Sequence, residues 1–465
     1  MSSAKSRWAD NAEEEVQRKR EKEEKKRAKL EKQRQAEEEE VRRKKAEEEA
    51  AARKDEQNRE DSDRPTKRRR LSHDGEDSRT KEKAEQPRKL LRFAAPAWGP
   101  CRHVDNFERL NHIEEGSYGW VSRARETATA EVVALKKLKM DNLNDGFPVT
   151  ALREIQTLKE SSHTHIVDLR EVVVGDTLDD VFIVMEFVEH DLKTLQDSMS
   201  EPFLPSETKT LMAQLTSAVA FLHSHWILHR DLKTSNILMN NQGEIKLADF
   251  GMARYTGDPP PPNLTQLVVT LWYRAPELLL GAKTYGFEID LWSVGCIFGE
   301  LLQKEPILQG KNEVDQISKI LTLMGIPTDT TWPGFRRLPN ARSLRLPPNP
   351  PPHATKPNIR RTFALLTNAG VDLLLSLLSL NPDGRPSAAE VLDHPYFKED
   401  PKPKAKEMFP TFPSKAGQEK QRRRDTPSAP KRGEGGKVEF GAVDLSGLFG
   451  AEREEGGAGF QLRMG

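Results

Sequence analysis

Apolar residues recur with strand and helix periods between Phe107 and Phe397. "EVVALKKLK" (131 to 139) and "DVFIVMEFV" (180 to 188) are short, nearly continuous apolar runs of the kind expected of buried strands. "PVTALREIQTLKE" (148 to 160) switches to helical spacing, with Pro148 suited to a first-turn position. Ala151, Leu152, Ile155 and Leu158 make its inward stripe. From Ser206 onward the pattern is helical, in "KTLMAQLTSAVAFLHSHW", "DLWSVGCIFGELL" and "GVDLLLSLLSL". A strand-rich part followed by a helix-rich part predicts an α+β chain of two lobes with a cleft between them.

Composition changes the picture at the two ends. The net formal charge is zero, with 73 Lys+Arg against 73 Asp+Glu. Yet residues 1 to 90 hold 29 Lys/Arg and 25 Asp/Glu, so 54 of those 90 are charged. Such a segment buries too little apolar surface to offset the entropy of ordering. Residues 1 to 95 therefore read as a charged arm, disordered or a single solvated helix with opposite charges at i,i+4. Within it "RPTKRRRLS" (64 to 72) reads as a nuclear import signal, a nucleic-acid contact, or one more charge run. Residues 401 to 465 turn polar again and read as a disordered tail. Two cysteines, Cys101 and Cys296, fit a reducing compartment better than a disulfide framework. No apolar core marks the first ten residues as a signal peptide, and no uncharged run is long enough to span a membrane.

The chemistry gathers at "HRDLKTSNIL" (229 to 238). After Asn236, two short apolar runs flank "NNQG", which is a hairpin signal. A hairpin brings its ends together, so Asn236 and Asp249 become neighbours although thirteen residues apart. An amide oxygen beside a carboxylate suits a hard cation such as Mg²⁺. Asp231 is expected to face the same cavity. Phosphoryl transfer needs such a metal, a carboxylate to take the hydroxyl proton, and a Lys to offset phosphate charge. "IEEGSYGWV" (113 to 121) supplies a loop in which Gly116 and Gly119 let backbone approach phosphates closely. Lys136 follows on a buried strand, and Glu154, on the flank of the helix stripe, is placed to pair with it.

The glycine loop, "VALKK", "HRDLKTSN", "DFG" and "APE" (275 to 277), in this order, resemble the eukaryotic protein kinase motif set over residues 107 to 397. "FPVTALRE" is similar to the cyclin-binding helix of cyclin-dependent kinases, and "VVTLWYRAPELLLG" matches the same group. "FPVTALREIQTL" together with "MFPTFPSK" (408 to 415) resembles the PITSLRE kinases most closely. The resemblance implies a two-lobed protein kinase fold, a β-rich N-lobe (107 to 187) and a larger helical C-lobe (188 to 397), using ATP and Mg²⁺. It implies that Asp231 is the catalytic base and that Lys233 steadies the transferred phosphate. Asn236 and Asp249 would hold Mg²⁺, and Lys136, kept in place by Glu154, would meet the nucleotide phosphates. Ile113, Val121 and Ala134 would line the nucleotide site. Glu186 and Val188 would offer backbone groups to adenine, with Met185 as gatekeeper. Arg153, Arg230 and Arg254 would converge on a phosphothreonine at Thr265; three scattered surface arginines are the rival reading. Ser117 and Tyr118 are candidate inhibitory phosphorylation sites.

The same resemblance implies a nuclear, proline-directed kinase with an L-type cyclin as partner through helix 148 to 160. Its substrates would lie in transcription, pre-mRNA splicing or cell-cycle control, including the RNA polymerase II tail or splicing factors. Asp290 reads first as a plain helix N-cap, although the matching Asp in kinases also braces the catalytic loop. Glu277 and Arg385 resemble a buried ion pair, Cys296 reads as core, and His223, His225 and His229 lack metal-ligand spacing. Glu114 stands where the family usually has its first loop glycine, Trp120 where it has a smaller apolar residue, and Thr234 where it often has Pro. One rival is a weakly catalytic kinase-fold scaffold whose arm binds RNA or protein. Another, a mitogen-activated-type kinase, would usually carry Thr-x-Tyr, and no Tyr follows Thr265 in "PPPPNLTQLVVT".

Overall fold

The computed structural model describes residues 99–412, apart from 117–118, 141–146, 178–179, 262–263, 266–267 and 348–349. The expected arm, its basic cluster, Ser117, Tyr118 and residues 413–465 of the expected disordered tail lie outside the described residues. Residues 401–412 of that tail are instead ordered against the C-lobe, held by the Lys404 amide on the Ser206 carbonyl and by buried Phe409.

The N-lobe is an antiparallel sheet in the order β1-β2-β3-β5-β4. Its strands are β1 (Phe107–Gly116), β2 (Gly119–Glu126), β3 (Val132–Leu138), β4 (Leu169–Val174) and β5 (Val181–Glu186). Between β3 and β4 lies helix α1 (Val149–Glu160). One face of the sheet closes over a small core of Phe107, Ala124, Val133, Leu135, Val173 and Val184. The alternation along β3 sends Val133 and Leu135 into that core and Ala134 and Lys136 to the opposite face. The expected strands 131 to 139 and 180 to 188 are thus β3 and β5, each trimmed at its ends.

The C-lobe begins with β6 (His190–Asp191), α2 (Leu192–Ser198) and the long α3 (Pro205–Ser224). Short strands follow: β7 (Ile227–Leu228), β8 (Ile237–Met239), β9 (Ile245–Leu247) and β10 (Arg254–Tyr255). β8 pairs with β6 and β9, while β10 pairs with β7. Then come α4 (Pro276–Leu279), α5 (Glu288–Gln303), α6 (Glu313–Met324), α7 (Ile359–Thr362), α8 (Asn368–Leu377) and α9 (Ala388–Leu392). α5 is apolar on nearly every side and is buried from Ile289 to Leu301, so the other helices pack around it. Cys296 sits in that core, where burial pushes its thiol well above the usual range.

Three expectations about helices need correction. Pro148 is the N-cap of α1, with φ −59 and ψ 123, and its carbonyl accepts from the Ala151 and Leu152 amides. The inward stripe is also turned. Leu152 is 53 % exposed, whereas Ala151, Glu154, Thr157 and Leu158 are buried. Glu154 takes the buried place expected of Leu152, and its carboxylate meets the Lys136 ammonium. Asp290 is not an N-cap either: it is the third residue of α5 and fully buried, with partners described below.

Candidate active site

Lys136 lies on the central strand, opposite Val121 of β2 and Ile183 of β5. Its ammonium meets Glu154 Oε1 at 2.5 Å and Asp249 Oδ1 at 3.1 Å. Burial alone would lower its pKa. The carboxylates of Asp249 and Glu154 overcome that and hold it well above the usual ammonium range. One cation on a strand thereby ties α1 of the N-lobe to the start of the "DFG" segment of the C-lobe.

The hairpin expected after Asn236 is β8–β9, in register Ile237↔Leu247. Just outside it the Ala248 amide donates to the Asn236 carbonyl at 2.9 Å, which leaves Asp249 one residue away from Asn236. Asn236 Nδ2 donates to the Asp231 carbonyl at 2.8 Å and to Asp231 Oδ2 at 3.2 Å. Both acceptors are oxygens, so the amide orientation is fixed and Oδ1 lies on its other side. That Oδ1 is buried and has no hydrogen-bond partner among the described residues. A buried acceptor left open costs free energy unless something fills it. With the Asp249 carboxylate adjacent, the pair is an all-oxygen donor set that fits Mg²⁺.

Asp231 is held from several sides. Its Oδ1 accepts from the Thr270 amide at 3.2 Å and the Thr270 hydroxyl at 3.0 Å, while Lys233 Nζ lies 3.1 Å from Oδ2. Lys233 also reaches Thr270 Oγ1 at 3.2 Å. The loop's backbone is clamped by Asp290, which accepts from the His229 amide at 2.9 Å and the Arg230 amide at 3.0 Å. Burial would raise the Asp290 carboxyl, but the His223 bond at 3.2 Å leads the interactions that bring it below its ordinary value. Arg230 and Asp249 both take left-handed backbone, φ 64 and φ 63. Such conformations cost on the order of 1–3 kcal/mol each and persist where surroundings over-determine them. His229 is buried and neutral in tendency, its pKa lowered first by burial, with Nε2 on the Ala248 carbonyl at 3.2 Å.

On the base side of the cleft, Ala134 pairs with Met185 in the β3–β5 register, and Val121 lies beside Lys136. Ile113, Met185 and Val188 are half-buried. The Glu186 amide donates to the Asp168 carbonyl at 3.2 Å, which withdraws that donor from any bound base. Trp120 is exposed, with the Lys139 ammonium 5.5 Å from its ring centroid.

The three arginines share one electrostatic neighbourhood. Arg153's pKa is lowered first by burial and then by the charges of Arg254 and Arg230. Arg230 Nη1 donates to the Tyr285 hydroxyl at 3.0 Å, which donates to the Thr265 carbonyl at 2.7 Å. Thr265 itself is exposed. At the end of this segment Glu277 and Arg385 form a buried bidentate pair at 2.6 and 2.8 Å, with Trp292 stacked on the guanidinium at 5.0 Å.

Sequence reasoning missed three contributors. Thr270, which anchors Asp231, is visible only as a threonine before "LWYR". Tyr285, the relay between Arg230 and Thr265, carries no motif signal. Glu300 reads as one more helix residue, yet its buried carboxylate accepts from Thr234 Oγ1 at 2.9 Å and Tyr273 OH at 2.6 Å. The Thr at 234, an apparent departure, is thus a hydrogen-bond donor to the helix behind it.

The family model for the protein kinase domain matches residues 107–397. Serine/threonine-protein kinase ppk23 of Schizosaccharomyces pombe is 56 % identical over 69 % of this chain and 79 % of its own length. Cyclin-dependent kinase 11B of Homo sapiens is 49 % identical over 76 % of this chain, and cyclin-dependent kinase G-2 of Oryza sativa is 49 % identical over 72 %. This chain spans only 43 % and 47 % of those two relatives. Kinases of this family use ATP and Mg²⁺ generally. The chain belongs to the protein kinase family, as a Ser/Thr kinase similar to the PITSLRE-type cyclin-dependent group.

Proposed function

We propose that this kinase transfers the γ-phosphoryl group of ATP to Ser or Thr followed by Pro in nuclear proteins, under control of an L-type cyclin. The carrying observation is the buried Lys136 ammonium bridging Glu154 and Asp249, with Asn236 and Asp231 joined beside them. In this reading Lys136 holds the α- and β-phosphates, and Asp231 takes the proton from the attacking hydroxyl. Lys233, between Asp231 and Thr270, steadies the γ-phosphate. Asn236 Oδ1 and the Asp249 carboxylate would hold Mg²⁺, which offsets charge on the phosphate oxygens when bound. The protein supplies mostly position and charge.

Regulation follows from the same geometry. A phosphate on Thr265 adds roughly −1.5 to −2 charge beside Arg153, Arg230 and Arg254 and would order the segment between Met252 and Thr270. A phosphate on Ser117 or Tyr118 would repel ATP. The cyclin would bear on the exposed side of α1, where Val149 is 66 % exposed. Nuclear location and a role in transcription or splicing rest on the likeness to the PITSLRE group; the RNA polymerase II tail and splicing factors are the substrates to try first.

The test is the full chain recovered from nuclear extract and assayed with labelled ATP on Ser-Pro and Ser-Ala peptides. Incorporation into the Ser-Pro peptide, abolished by EDTA and by Asp231→Asn, is the expected result. Equal labelling of both peptides would remove the proline preference. Recovery without any cyclin would remove the partner while leaving the chemistry.

A further inference from the structure

Beyond the family's span, the chain from Glu399 to Phe412 stays on the C-lobe. Its backbone is tied to the start of α3. The Lys404 amide donates to the Ser206 carbonyl at 3.0 Å, and Thr210 Oγ1 donates to the Lys404 carbonyl at 2.6 Å. Lys404 also meets the Glu207 carboxylate at 2.8 Å, and Lys406 pairs with Glu244. The segment then covers the tip of the β8–β9 hairpin. There Gly243 takes φ +76, and a Cβ on it would strike the Lys406 carbonyl and come within 2.9 Å of the Phe409 ring. Phe409 is buried on this tip. The Phe412 amide donates to Asn241 Oδ1 at 3.0 Å, the oxygen that His190 Nε2 meets at 3.2 Å.

The gripped hairpin is the one whose open end carries Asn236 and Asp249. Each strand has three residues. From Asn236 to Asn240 is four steps of about 3.3 Å, so the tip begins about 13 Å from the metal-holding pair. A hairpin this short has little stability of its own, so its pose is set by what holds it. On one side α3 holds it, through Gln214 to the Gly243 carbonyl at 3.0 Å and the Ile245 amide at 2.8 Å. The segment 399 to 412 holds the tip from outside.

We propose that residues 399 to 412 form a positioning strap, in which Phe409 and Phe412 act through the β8–β9 hairpin to aim the Asn236 and Asp249 oxygens. The inference rests on the reading of those two residues as the Mg²⁺ holders. The strap sets metal-dependent nucleotide affinity, not the fit of the base. Calorimetric titration of the full chain with ATP, once with Mg²⁺ and once in EDTA, measures the two contributions separately. In Phe409→Ala/Phe412→Ala the gain in affinity due to Mg²⁺ falls roughly three- to tenfold. That is at or below the low end of the 10–100-fold range for groups bonded directly to metal ligands. Affinity in EDTA stays at the wild-type value. Gly243→Ala, which pushes the strap outward, shifts the gain the same way, and Phe409→Leu restores most of it. Met408→Ala, whose side chain on the same segment is 68 % exposed, changes nothing. Melting curves recorded alongside identify the folded variants; if the double variant does not fold, Gly243→Ala and Phe409→Leu carry the comparison. A folded strap variant with the wild-type Mg²⁺ gain overturns the proposal. So does one that loses affinity equally in EDTA. A wild-type chain with no Mg²⁺ gain at all removes the metal-site reading itself, and that outcome is seen before any variant is made.

Discussion

Asp231 sits where two demands meet: one carboxylate oxygen is anchored by Thr270, and the other faces Lys233 and Asn236. Asp231→Asn keeps the shape and removes the base. Its kcat is expected to fall at least about a hundredfold, the low end for a general base, with ATP affinity nearly unchanged. Steady-state kinetics on the cyclin-bound kinase decide; near-normal turnover would end the assignment. Glu300 makes a different prediction. Burial pushes its carboxyl from 4.5 up to about 7, against the pull of Tyr273, Thr234 and Lys193, whose Nζ is 4.0 Å from Oε1. The folded chain therefore keeps a proton that the unfolded chain has already lost in that window. This stabilising contribution is complete below the unfolded value and is lost as pH rises through about 7. Its size is roughly 3 kcal/mol. In Glu300→Gln the melting temperature should lose that part of its decline between about pH 4.5 and 7. Identical slopes in the two proteins would show that the carboxyl titrates normally.

Among the elements, α4 and the loop after α8 are joined by a buried ion pair. Glu277 and Arg385 exchange two parallel hydrogen bonds, and Arg385 also donates to the Ser379 carbonyl at 2.9 Å and the Glu288 carbonyl at 2.9 Å. Arg385→Ala strands a carboxylate in the interior and is expected to cost about 3–5 kcal/mol. Arg385→Lys recovers only part of this, because an ammonium cannot match the planar fork. Thermal melting of both variants checks the order; an alanine variant melting like wild type would contradict it. Helix α1 depends on the opposite kind of residue. Val149 and Leu152 are apolar and exposed on the described chain. Val149→Asp and Leu152→Asp should change stability by no more than about 0.5 kcal/mol. Both should abolish capture of a cyclin. Retained capture with either variant would place the partner elsewhere.

At the scale of the molecule, polar contacts tie the two lobes together, and some of them run through α1. Lys136 joins β3, α1 and the segment at Asp249, and Tyr255 OH donates to Glu160 Oε2 at 2.5 Å across from β10 to the end of α1. A partner that moves α1 therefore moves Glu154, and with it the Lys136 ammonium. Phosphate on Thr265 would act from the other end, through Arg230 and Tyr285. Thr265→Ala is expected to lose the stimulation that an activating kinase gives, and Arg153→Ala to lose part of it, since each charge-assisted hydrogen bond is worth about 1.5–3 kcal/mol. Activity before and after phosphorylation, in both variants, measures this. A Thr265→Ala chain stimulated as strongly as wild type would move the regulatory phosphate to another residue.

The sequence by itself determined the elements and the chemical inventory. Strand and helix periods reflect which positions can be buried, and "HRDLKTSN" and "DFG" stand at hairpin ends because turn residues separate the runs. Local pattern could not give the rotation of α1, because Leu152 and Glu154 both suit a helix and only the strand Lys opposite decides which turns inward. Nor could it show Asp290 inside α5 gripping amides sixty residues earlier, or Glu300 collecting two hydroxyls. Those partners are distant along the chain and carry no period, and a buried polar group takes its meaning from whichever donors the folded core brings within hydrogen-bonding distance.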